Sequence, residues 1–198
     1  MITDKCMITS EHETVIGFSD KAIPGLLLQI MGVVLFGAIA AAGKKATMDL
    51  GISGHSALLW LSAMVAGRAL IQRDGAGFAL GLSTALWGMP AGFNHSLLHN
   101  IGLYGATGLV LDLAARSSWL DLRHPLGAIV GGALAHMVKF CFILGKASIS
   151  VTAKRFVLIG VVQSATMHLM FGLGAGLIGF GIWSLLKSSP KRADRNPD

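Results

Sequence analysis

The chain has 198 residues, 53% hydrophobic and 13% charged, with a mean hydropathy of +0.66. Soluble domains carry roughly 25% charged residues, so a soluble globular enzyme, a disordered chain and a disulfide-rich secreted module are all poor fits. Sixteen Lys and Arg against ten Asp and Glu leave a net charge of +6; lying between long apolar runs, these basic residues point to membrane orientation rather than to nucleic acid. Cys6 and Cys141 share no metal-binding spacing.

A helix crossing a bilayer core about 30 Å thick needs about 20 mostly apolar residues. That yardstick predicts an all-α polytopic membrane protein with six spans. The first runs from Ala22 to Ala42, with Pro24 in its first turn and Lys44-Lys45 stopping it. The second runs from Ser53 to Ile71, before the turn Gln72-Arg73-Asp74-Gly75. The third runs from Ala76 to Met89 and breaks at Met89-Pro90-Ala91-Gly92. The fourth covers His95 to Ala115 and the fifth Pro125 to Leu144. The sixth, Arg155 to Leu186, is over-long for one crossing and must tilt, bend or protrude.

Glu11, Glu13 and Asp20 precede the first apolar run, which argues against a cleavable leader and makes residues 1–21 a cytoplasmic segment. Residues 22–187 form the membrane domain, and the polar tail 188–198 has too little apolar surface to pack. With the N-terminus inside, ten Lys and Arg fall on the cytoplasmic side. Five, Lys44, Lys45, Lys146, Lys154 and Arg155, fall opposite, and Lys139 lies within a span. That asymmetry places both termini in the cytoplasm of a cell-membrane protein. No soluble catalytic domain is left over, so any activity belongs to helices and short loops.

Membrane helices associate through close backbone approach at small residues. Gly127/Gly131, Gly172/Gly176 and the ridge Gly37, Ala38, Ala41, Ala42 have that spacing. Packing inside the bundle is the plainer reading, and docking of a separate subunit on the first span the sharper one.

Ionisable residues in a span are costly and usually face a partner or a wet cavity. Here His95, His99 and Asn100 open span four, His136 and Lys139 lie in span five, Gln163, Ser164 and His168 in span six, and His55 and Trp60 open span two. His95/His99, Ser164/His168 and His136/Lys139 each share a helix face. Their depths predict an outward-facing pocket lined by Trp60, Tyr104, His99, Asn100, His136, Lys139, Gln163 and His168. Each has a plainer role: interfacial placement for His55 and His95, snorkelling for Lys139. His136 and His168, near mid-membrane, are the hardest to explain that way.

Imidazoles four apart are a start for a metal site, but Asp49, Asp74 and Asp112 lie near span ends and a lysine repels cations. An anionic or heteroaromatic organic ligand suits the lining better, without cofactor or bound metal; a histidine-rich metal or haem protein is the alternative. GxSxG, HExxH, the P-loop and the dinucleotide glycine fingerprint are all missing, so the reading is non-enzymatic and any ATP-driven motor is another protein.

With this layout, the alanine-rich ridge 37–42 and the stretch Gly67-Arg68 to Gly77, the chain resembles the substrate-binding subunit of energy-coupling factor (ECF) transporters. The stretch is similar to the Arg-x-Pro-Gly-Ala turn of the branch linked to thiamine-precursor uptake, with Asp74 in place of proline. The resemblance implies a vitamin or micronutrient captured from outside, and docking through Gly37, Ala38, Ala41 and Ala42 to a transmembrane coupling subunit served by two cytoplasmic ATPases. Nickel and cobalt members begin Met-His, whereas this chain has Ile2.

Overall fold

The computed structural model describes residues 22–47, 55–93, 96–117, 119–149 and 156–188. These residues form six α-helices and no strand: α1 (Ala22–Ala46), α2 (Ala57–Leu70), α3 (Ala76–Gly88), α4 (Leu97–Arg116), α5 (Pro125–Ile149) and α6 (Phe156–Ser188). The expectations for residues 1–21, His95, Lys154, Arg155 and the tail after Ser188 lie outside the described residues.

Among the described residues, four stretches are long and apolar enough to cross a bilayer: Gly25–Ala46, Leu97–Arg116, Pro125–Phe142 and Gly160–Ser188. They mark a membrane protein. Helices α2 and α3, with 14 and 13 residues, rise only about 20 Å each at 1.5 Å per residue; the start of span two expected at Ser53 lies outside the described residues. His55 sits in the turn before α2. A short helix is tolerable where protein surrounds it, and every α2 residue from Trp60 to Ala69 is buried. Lys44-Lys45 do not stop α1, which runs on to Ala46. Lysine is a good helix former and its charge is favourable at a helix C-terminus.

Helix α2 is the axis, with α6 alongside and α5 packed on α6; α3 joins α1 to α4. Leu27, Leu28, Met31 and Leu35 leave one side of α1 exposed and apolar, the surface lipid would cover. Glycine sets the closest approaches. A Cβ on Gly132 would lie 2.7 Å from the Gly172 carbonyl oxygen, and Gly176 abuts the Ala128 backbone, so the Gly172/Gly176 pair joins α6 to α5. Gly131 instead faces Leu122 and Ala114, and Gly127 faces Asp121. The α1 ridge divides: Gly37 packs on Ser83 of α3, Ala41 is buried, Ala38 is partly buried, and Ala42 is exposed.

Two opposite charges tie α2 to α4. Arg68 of α2 donates from Nε to Asp112 of α4 at 2.6 Å and from Nη1 to the Ile71 carbonyl at 2.8 Å. The Asp112 oxygens also accept from the backbone N–H groups of Gly77 and Phe78, both at 2.9 Å. Helix α3 starts after Gly75, whose φ of 78° suits glycine but which has no side chain to cap the free N–H groups. The carboxylate of α4 performs that task from outside.

Candidate functional site

Trp60 of α2, Tyr104 of α4, His136 of α5 and His168 of α6 meet in one buried cluster. Trp60 stands edge-on to Tyr104, with ring centroids 5.1 Å apart, and lies 5.9 Å from His136. His136 stacks on His168 at 4.8 Å with 25° between planes. Phe140, one turn after His136, closes the far side of His168 at 5.9 Å, and Phe93 lies 5.8 Å from Tyr104. The signal for Phe140 in the sequence is its i+4 position after His136.

Hydrogen bonding fixes the chemistry of this cluster. His168 Nδ1 lies 2.7 Å from the Ser164 carbonyl oxygen, and a carbonyl only accepts, so Nδ1 carries a proton. The neutral ring then presents Nε2 as an acceptor. That Nε2 is buried without a hydrogen-bond partner among the described residues, as is Trp60 Nε1, which only donates. Buried polar atoms are ordinarily satisfied. A complementary ligand offers an acceptor to the Trp60 N–H, a donor to His168 Nε2, and a flat face to the rings.

The surroundings are basic. Lys139, one turn after His136 and partly buried, is within electrostatic reach of Lys44 and of His168. Lys44 donates to Ser56 at 3.2 Å, and His55 Nε2 bonds the Thr47 carbonyl at 2.5 Å, so the end of α1 is held to the start of α2. His99 faces Phe142 edge-on at 5.9 Å, and Asn100 is buried beside it on α4.

Gln163 is exposed and is not brought to the cluster; Ser164, the next residue, faces inward through its bond to His168. Among the described residues, the Trp60, His136 and His168 side chains do not open onto solvent. They are 1%, 0% and 0% exposed, so these three side chains are closed off from solvent in this conformation. Metal chemistry finds partial support. A histidine donating one N–H to a carbonyl is oriented as metal ligands often are. Stacked rings, however, send their in-plane lone pairs side by side rather than to one point, and no group of three His, Cys, Asp or Glu residues gathers among the described residues.

The Arg68–Asp112 pair went unread as a unit in the sequence. The available signal was two opposite charges inside apolar helical runs, which pair when a span carries them inward. Comparison with family models, with curated proteins and with solved structures gave no match.

Proposed function

We propose that this chain is the membrane-embedded substrate-capture subunit of an ATP-driven importer of the energy-coupling factor type. In this reading six helices lie in the cell membrane with both termini cytoplasmic, and a small micronutrient is taken from the outer side. The observation that carries it is the pair of buried polar atoms, Trp60 Nε1 and His168 Nε2, left without partners among the described residues and set among aromatic rings. Burying such groups unpaired costs about 1 to 3 kcal/mol each, a cost that a bound ligand recovers. Lys139 and Lys44 nearby favour a ligand with anionic character. Transport would draw on a separate coupling subunit and two ATPases, with the outward Ala42 face of α1 available for docking.

Native mass spectrometry of protein purified without added ligand tests the reading. A small organic molecule is expected in the wild type and absent from the His136→Ala/His168→Ala double variant. Retention of the same molecule by the double variant would place the ligand elsewhere. Stoichiometric metal or a haem absorption band in the wild type would favour the histidine-ligand alternative instead.

A further inference from the structure

Helices α1 and α3 enclose a hollow of about 220 Å³ at the end of the bundle where both begin. Leu26, Ile30, Val33 and Ala79 make most of it apolar, and Gln29 and Arg73 add two polar groups. Neither polar group is satisfied. Gln29 Oε1 is buried without a hydrogen-bond partner among the described residues. Arg73 is exposed, and its guanidinium has no hydrogen bond or ion pair among the described residues. The other three arginines are each paired, Arg68 with Asp112, Arg116 with Asp74 and Arg123 with Asp121. A hydrocarbon chain fills the apolar part of such a hollow but offers nothing to a carboxamide or a guanidinium. The occupant that answers all three features is a peptide with apolar side chains, backbone N–H groups and a carboxylate.

The chain carries such a peptide next to the hollow. Residues 1–21 run directly into α1 at Ala22, one turn before Leu26. They hold four carboxylates, Asp4, Glu11, Glu13 and Asp20, against two lysines, Lys5 and Lys21, so their charge is opposite to that of the unpaired arginine. Ile16 and Phe18 are two residues apart and share one face of an extended chain, while Glu11 and Glu13 lie on the other. From Ala22 back to Glu13 the chain reaches about 30 Å, against about 10 Å between neighbouring helix axes. Lying across the mouth of the hollow, at the end of the helices, its backbone would stay hydrated as non-helical chain at a membrane requires.

We propose that residues 11–18 dock back over the α1–α3 hollow. Ile16 and Phe18 enter it, a backbone N–H of the segment donates to Gln29 Oε1, and Glu11 or Glu13 pairs with Arg73. The segment thereby ties the start of α1 to the start of α3, a link that no side-chain hydrogen bond between the two helices makes among the described residues.

Hydrogen exchange of the full chain in nanodiscs, read by mass spectrometry on peptides covering residues 11–18, tests this. Exchange there is expected to speed up at least threefold in Arg73→Glu and in Glu11→Arg/Glu13→Arg, and to slow again when all three substitutions are combined. Arg73, Glu11 and Glu13 bear no core contact, so the variants are expected to fold, and unchanged exchange within α2 verifies it. Loss in both charge reversals with recovery in the combination supports the docking. Equal exchange in the wild type and Arg73→Glu overturns it, as does loss without recovery. Two further outcomes also overturn it: a phospholipid adduct retained through detergent exchange while residues 11–18 exchange freely gives the hollow to lipid, and protection that rises with protein concentration gives it to a second copy of the chain.

Discussion

His136 and His168 stack at 4.8 Å because Gly172, one turn after His168, lets α6 come down onto α5. A Cβ at Gly172 would lie 3.0 Å from His136 Cβ and 2.8 Å from Ala133 Cα. The two imidazoles and the glycine contact are thus one unit, in which backbone proximity sets side-chain chemistry.

Gly172→Ala is therefore expected to push the helices apart, at a cost of about 1 to 3 kcal/mol for overpacking, and to weaken ligand retention. Gly160→Ala is the control: nothing lies within 4 Å of its Cβ position, and alanine is the better helix former. Melting temperature in detergent should fall for the first and hold or rise for the second.

Removing one partner of the Arg68–Asp112 pair leaves the other charge buried. Arg68→Ala or Asp112→Ala should each cost about 3 to 5 kcal/mol. Replacing both by apolar residues of similar size should cost less than the two single losses added together. Asp112→Ala should also loosen the first turn of α3, visible as faster amide exchange at Gly77 and Phe78. Equal protection in the variant and the wild type would show that α3 needs no cap from α4.

Trp60→Phe keeps an aromatic face, smaller than the indole, but removes the N–H. Affinity for the bound small molecule is expected to drop about tenfold, the value of a net hydrogen bond of roughly 1.4 kcal/mol. Gln163→Ala, on an exposed face, should leave affinity unchanged. Equal losses in the two variants would disconnect Trp60 Nε1 from the ligand.

On the α4–α5 connection, the Arg123 guanidinium hydrogen-bonds Asp121 and holds its carboxyl below the ordinary value of 3.8. A depressed carboxylate contributes stability above its unfolded pKa and loses it as pH falls through the folded one. The pair is solvent-exposed, so the effect is small. Melting temperatures of wild type and Asp121→Asn should differ slightly at pH 6 and converge as the pH is lowered into the acid range.

Much of the architecture was legible before the fold. Apolar runs gave helices close to the expected ones at α3, α4 and α6, because turn residues such as Gly75 and Gly92 adopt the positive φ that ends or starts a helix cheaply. The ends were less legible where lysine was taken as a stop, since Lys44 and Lys45 extend α1 rather than close it. The start of span two expected at Ser53 lies outside the described residues; the described helix begins at Ala57.

The amino-acid sequence on its own determined that this is a helical membrane protein with polar groups where oil should be, because hydropathy and its run length depend on local composition. It also determined that Ser164 shares a face with His168, since a helix repeats every 3.6 residues. Which faces meet was decided only by tertiary structure. Helices apolar on all sides carry no preferred orientation toward one another, so nothing in the pattern showed whether Gln163 or its neighbour Ser164 would turn inward. Glycine contacts between α5 and α6 fixed that rotation, bringing His136 onto His168 and leaving Gln163 outside.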